Sequence, residues 1–219
     1  MIKTHLQETV REETQGTMKV VLEICKVENG EAFPVMANVV TPSYPIIYVT
    51  RNPKDVAVSY FHFHTYNRSL PKYTDWNLFY EDYKEENVCY GSWFQHNLFW
   101  WKRRHLPNVL FLKYEDIKKD PKIATVKVAE FMGYKLSDDV IDKIVEKSSF
   151  KSMKTCSHRV HPPPEKLFPI DMHVYKDTSF FRKGVIDDWK NYFTDAQNEE
   201  YDKICKEKLN GTGLYDDCA

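Results

Sequence analysis

Three short stretches of the chain carry side chains suited to holding an anion and moving a proton. The first is Tyr48 to Phe63, "YVTRNPKDVAVSYFHF". An apolar run ends at Arg51, and Asn52-Pro53 then open a helix that carries Ser59. The free N–H groups and positive dipole of a helix N-terminus attract negative charge, and the forked guanidinium of Arg51 matches a phosphate. The second stretch is Arg182-Lys183-Gly184, two cations followed by a residue that lets the backbone approach an anion closely. The third is Lys3-Thr4-His5. On an extended segment Lys3 and His5 point the same way. Histidine titrates near neutral pH and suits a general base, and a nearby lysine can neutralise charge on a transferring oxyanion. Taken singly, each stretch also reads as ordinary structure: a strand–helix junction, a surface loop and a ragged terminus.

Regular elements must position these residues. Ile46 to Thr50, "IIYVT", is a continuous β-branched and aromatic run, as expected of a buried parallel strand. Asn52 suits the N-cap, Pro53 the first helical turn and Asp55 a loose capping box. Val56, Tyr60 and Phe63 then share one helix face. Val109 to Leu112 repeats the strand, and Asp120-Pro121 start a helix that ends at Gly133. A strand followed by a helix, twice, argues an α/β fold with a parallel sheet. Further helices are expected over 91–105, ending in a basic cluster that suits the negative helix end, from Ser137 to about Lys147 with a cap, and over 195–209. Residues 66–87 read as a long loop with short helical pieces. Residues 18–40 alternate weakly, as a strand, a turn at Asn29-Gly30 and a second strand, and 5–13 suit a helix. Residues 154–180 contain Pro162-Pro163-Pro164 and cannot be regular helix. They are either a mobile loop over a site or a surface excursion.

The bulk properties bound the function. The 219 residues carry a net charge of -1. They suffice for one sizeable core and lack the basic excess of a nucleic-acid binder, while local cations can still hold one small anion. Five cysteines without CxxC spacing suit reduced thiols in a cytosol. His62/His64 and His158/His161 are close pairs, but no cysteine or carboxylate repeat completes a metal set around them. No signal peptide is visible, and no run approaches the ~20 apolar residues of a membrane span. Five tryptophans within 15% aromatics suit either a large core or a pocket lined with flat rings.

The combined pattern resembles the cytosolic sulfotransferase family. "YVTRNPKDVAVSYFHF" is similar to its 3′-phosphate motif. "YGSWFQH" followed by "FWW", then "LFLKYEDIKKDP", "SSFKSMK" and "FFRKGVIDDWKNYFT", match family stretches in the family's order, over roughly residues 46–215. The resemblance implies a P-loop-type three-layer α/β fold, a parallel sheet flanked by helices, in a single domain over 1–219 with a divergent, partly inserted segment at 1–45. It implies transfer of a sulfuryl group from 3′-phosphoadenosine 5′-phosphosulfate to a hydroxyl or amine of a small acceptor, aromatic or steroid-like, in the cytoplasm and without a metal. Arg51 and Ser59 would bind the 3′-phosphate, and Arg182, Lys183 and Gly184 would complete that site. Tyr114, Ser148, Phe150 and Met153 would lie near the adenine. His5 would be the general base and Lys3 would steady the sulfuryl group. Phe61, Phe63, Tyr66 and Trp76 would offer the acceptor an apolar pocket.

Three departures accompany the resemblance. The family's opening strand and its Lys-Ser-Gly-Thr loop around the 5′-phosphosulfate have no evident counterpart, so the sequence reads as truncated at its N-terminus. Leu6-Gln7 stands where the family has Leu-Pro, and the stretch from His5 to Tyr48 is longer than usual. Lys190, Thr194 and Glu199 match the dimer motif, but Asp195 replaces its valine, and a charge in a small apolar contact weakens it; the homodimer stays open. Two alternatives therefore stand beside the transferase. One is a nucleotide-binding remnant without turnover. The other is a protein-interaction module with a sheet edge open to a partner.

Overall fold

The computed structural model describes residues 26–28, 31–33, 44–67, 70–155 and 181–214. Lys3, His5, the helix expected at 5–13 and the triple proline lie outside them. Strands β1 (Lys26–Glu28) and β2 (Glu31–Phe33) form the antiparallel hairpin expected around Asn29-Gly30, with Val27 opposite Ala32.

The site is organised by β3 (Ile46–Thr50) and β4 (Val109–Lys113), which pair in parallel with Ile46 opposite Val109 and Thr50 opposite Lys113. Strand alternation gives β3 two unlike faces. Tyr48 packs within 5.6 Å of the Trp100 ring and 5.1 Å of Phe111, and its hydroxyl pairs with His96 Nδ1 at 2.7 Å. Thr50 Oγ1 donates to Asn97 Oδ1. Val49, on the opposite face, is 47% exposed. The parallel strand is thus as expected, but its burial is confined to one face.

Helix α1 (Pro53–Tyr66) starts as its sequence dictates: the Asn52 side chain accepts from the Lys54 and Asp55 N–H groups, with Pro53 at the first position. The expected capping box does not form. Such a box needs a side chain long enough to reach back to the N-cap N–H, which favours Glu or Gln over Asp. Here the Asn52 N–H donates instead to Glu115 Oε1 at 2.8 Å. The buried stripe is also turned from the expected one. Lys54, Ala57, Val58 and His64 are buried, while Val56, Tyr60 and Phe63 are only partly so.

Residues 66–87 are more regular than expected. Asp75 caps α2 (Trp76–Lys84) by accepting from Asn77 N at 2.8 Å and Leu78 N at 3.2 Å. Phe79, Tyr80 and Tyr83 are buried along it, the three-four spacing of an amphipathic helix. Ser92 caps α3 (Trp93–Trp101). The basic cluster behind α3 closes its carbonyl end: Arg103 and Arg104 donate to the Phe99 and Trp101 carbonyls while stacking on those same rings.

After β4 come α4 (Tyr114–Lys119), which the strand–helix pattern did not resolve, and α5 (Pro121–Phe131), capped by Asp120 and followed by Gly133 in the left-handed region. Helix α6 (Asp138–Ser148) has Ser137 at its N-cap position but no side-chain cap bond. Then follow α7 (Phe150–Thr155), a 3-10 turn (Asp188–Asn191) and α8 (Asp195–Leu209), which opens on a full capping box between Thr194 and Gln197.

The main core joins α1, α2 and α8 through Val58, Phe79, Tyr80, Tyr201 and Leu209. Trp76, Trp93, Trp101 and Trp189 pack against it, and Trp100 is buried with Val109 in a smaller cluster. The tryptophans thus serve packing. Phe61 and Trp76, expected in an acceptor pocket, also pack on this core, edge to face at 5.7 Å. Cys89 and Cys205 carry free thiols. Among the described residues no helix is long and apolar enough to cross a membrane.

Candidate anion-binding site

The site is built around a carboxylate read from sequence as a helix cap. Asp55 is 1% exposed. Its Oδ2 accepts from the Asp187 N–H at 2.9 Å and its Oδ1 from the Trp189 N–H at 3.1 Å. These two bonds draw the segment after Gly184 across the start of α1. Asp187 takes a left-handed φ of 65°, which turns the chain into the 3-10 turn.

Arg51 sits at the β3 end of this assembly. Its Nη2 donates to the Val185 carbonyl at 2.8 Å and lies 3.4 Å from Asp55 Oδ2. Its guanidinium carbon stands 4.6 Å from the centre of the Tyr114 ring. Arg51 therefore touches both Tyr114 at the end of β4 and the 182–189 segment. Its Nε is buried and has no hydrogen-bond partner.

Arg182 and Lys183 are gathered by a second carboxylate, Asp188, itself 3% exposed. Asp188 Oδ1 accepts from Lys183 Nζ at 2.7 Å and from Asn191 Nδ2 at 2.9 Å. Oδ2 forms an ion pair with Arg182 Nη1 at 2.5 Å. Gly184 adopts φ +64°, and a Cβ built on it would stand 2.1 Å from Phe150 Cδ2. The Phe150 ring thus lies directly on the Gly184 backbone, which links α7 to the cationic loop.

Ser59 is reached through helical periodicity. Asp55, Ser59 and His62 are spaced four and three residues apart and share one stripe of α1. The two outer members both contact the 182–192 segment: Asp55 as above, and His62 through Nε2 to the Tyr192 hydroxyl at 2.7 Å. Ser59 is exposed between them. Ser148 ends α6 with its hydroxyl donating to the Val145 carbonyl, and Met153 is half-buried on α7. Ser148 also lines an apolar groove of ≈ 580 Å³ together with Leu112, Ile117, Val128 and Ile144.

The electrostatics are those of cations held close by buried acids. Burial lowers the His62 pKa below 6.5, and the positive charge of Arg182 adds to this. For Asp188, burial opposes the charged form. The hydrogen bonds and charges of Lys183, Arg182 and Asn191 outweigh it and take the carboxyl from 3.8 down to about 2. A depressed carboxyl pKa stabilises the fold above its unfolded value and loses that contribution as pH falls through the folded one. Asp188 should therefore supply on the order of 2 kcal/mol at neutral pH, lost as pH falls from 3.8 toward about 2. Urea unfolding of wild type and Asp188→Asn across this range checks it: the stability difference should shrink as pH falls. A pH-independent difference would show that the charge of Asp188 does not matter to the fold.

Sequence reasoning missed Asp55, Asp188 and Glu115 as organisers. The available signal was acid placed directly inside the cationic blocks, in Arg51-Asn52-Pro53-Lys54-Asp55 and in the Asp187-Asp188 pair three residues after Arg182-Lys183-Gly184.

A sulfotransferase domain model matches residues 33–213, and the chain belongs to that family. The chain is 43% identical over 171 residues to sulfotransferase 1B1 of Canis lupus familiaris, covering 77% of itself and 56% of that protein. It is equally identical over 168 residues to sulfotransferase 1C2 of Homo sapiens, covering 77% of itself and 55% of the relative. It spans about half the length of the curated relatives it matches. Among solved structures, mouse sulfotransferase SULT7A1 complexed with PAP matches at TM-score 0.66 and 37% identity, over 77% of this chain and 59% of that one. Retinol dehydratase in complex with androsterone and inactive cofactor PAP matches at TM-score 0.66 and 30% identity, over 78% of this chain and 48% of that one. The fold is therefore the sulfotransferase fold, represented in the described residues by a two-stranded parallel sheet among helices.

Proposed function

We propose that Arg51, Ser59, Arg182, Lys183 and Gly184 hold the ribose 3′-phosphate of 3′-phosphoadenosine 5′-phosphosulfate, with Tyr114, Ser148, Phe150 and Met153 beside the adenine. The protein, one domain over 1–219 acting in the cytoplasm, transfers the sulfuryl group to a hydroxyl or amine of a small aromatic or steroid-like acceptor. The observation that carries this reading is the double anchor of Asp55. It ties the loop after Gly184 to α1 and leaves Arg51 in contact with both the loop and Tyr114. Support also comes from relatives solved with PAP, the 3′,5′-bisphosphate of adenosine.

In the reaction, the acceptor oxygen attacks sulfur in line while the sulfur–oxygen bond to the phosphate breaks. His5 takes the acceptor proton, and Lys3 steadies the charge on the sulfuryl oxygens. The cations described above fix the far end of the donor, so that binding energy there orients the reacting end. Where side chains supply that charge, no metal is required.

Titration of adenosine 3′,5′-bisphosphate and of adenosine 5′-phosphate by calorimetry tests the reading. The bisphosphate should bind the wild type more tightly. Arg51→Ala should weaken it by roughly 10- to 100-fold, the loss of one charge-assisted phosphate contact. Equal binding of both nucleotides by the wild type would remove the proposal.

A further inference from the structure

We propose that Asp188 is a positioning residue for the 3′-phosphate: a buried carboxylate that touches no ligand but aims Arg182 and Lys183 at it. The inference rests on the 3′-phosphate reading above. Its basis is the geometry of the Asp188 carboxyl. One oxygen accepts from Lys183 and Asn191, and the other forms an ion pair with Arg182 at 2.5 Å.

Two adjacent long side chains would otherwise be free to wander and would repel each other. A single buried acid collects both and leaves one net positive charge in the cluster. The Arg182 guanidinium has five N–H donors, so its contact with Asp188 leaves others to offer an anion. The guanidinium is thus located without being used up. Lys183, 46% exposed, can likewise offer its remaining N–H donors to an anion. His62, also near this cluster, is held by the Tyr192 hydroxyl, and burial with the charge of Arg182 favours its neutral form.

The alternative is that Asp188 is only a negative charge beside the cations. The two roles predict opposite signs. If Asp188 were merely a nearby negative charge, Asp188→Asn would remove repulsion and bind the 3′-phosphate more tightly. If it positions the cations, the same nearly isosteric change loosens them and weakens binding.

The experiment reads the ratio of affinities for adenosine 3′,5′-bisphosphate and adenosine 5′-phosphate, which isolates the 3′-phosphate. In Asp188→Asn the ratio should fall about tenfold, with adenosine 5′-phosphate binding unchanged. A ratio that stays level or rises overturns the inference while leaving the 3′-phosphate reading intact. A wild type without preference for the bisphosphate overturns that reading instead, and the inference with it. Should Asp188→Asn not fold, Asn191→Ala carries the test. It removes one exposed neighbour of the carboxylate, and the ratio should fall about twofold to threefold. An unchanged ratio there overturns the inference equally.

Discussion

Asp55→Ala should lose about 3–5 kcal/mol of stability in equilibrium urea unfolding. The side chain is 1% exposed and accepts two backbone N–H groups from a segment more than 130 residues away in sequence. Truncation leaves those N–H groups unmet and leaves Arg51 facing a buried site without its counter-charge. Domains of this size hold about 5–15 kcal/mol in all, so the variant should sit near the edge of folding at 37 °C. Asp55→Asn keeps an acceptor for one of the two amides and should fall between. A loss below about 1 kcal/mol for Asp55→Ala would mean that the 182–189 segment is held by other contacts, and the double anchor would lose its importance.

This dependence on buried acid has a physical reason. The segment after Gly184 brings little apolar surface of its own: Val185 and Ile186 are 45% and 44% exposed. These two residues bury little hydrocarbon, so between Gly184 and the core contacts of Trp189 and Phe193 the segment is held by hydrogen bonds to Asp55 and ion pairs to Asp188. The same acids reduce the repulsion among Arg51, Arg182 and Lys183 when no anion is bound.

Much of this was legible in the residues. Asn52-Pro53 gave the start of α1 and Asp120-Pro121 the start of α5, because caps act over three or four residues. The parallel pair of strands followed from two β-branched runs. The helix at Trp76 was obscured by polar residues between its rings, although Trp76, Phe79, Tyr80 and Tyr83 already had helical spacing. The candidate cations could be chosen because guanidinium and ammonium groups announce an anion. Their acidic supports could not, since an aspartate at the third position of a helix looks alike whether it caps that helix or grips a loop from the far end of the chain. Only the tertiary contact distinguishes the two roles.

Gly184→Ala should act on the other half of the nucleotide. The residue sits at φ +64°, which costs a residue with a Cβ about 1–2 kcal/mol. The added methyl would also lie 2.1 Å, 2.6 Å and 2.8 Å from three atoms of the Phe150 ring, well inside contact distance. Overpacking of this kind costs about 1–3 kcal/mol, for a total of roughly 2–5 kcal/mol if nothing moves. The ring can relieve part of this by swinging away from the loop, since it is only partly buried and meets Phe181 edge to face at 6.1 Å. Relief then has a functional consequence, because the ring leaves the place proposed for the adenine. Affinity should fall at least tenfold for adenosine 3′,5′-bisphosphate and for adenosine 5′-phosphate alike, since both carry the base. That pattern differs from Arg51→Ala and Asp188→Asn, which act on the 3′-phosphate and leave adenosine 5′-phosphate largely unaffected. If Gly184→Ala folds and binds both nucleotides as the wild type does, Phe150 does not stack on the base, and the adenine must be sought elsewhere.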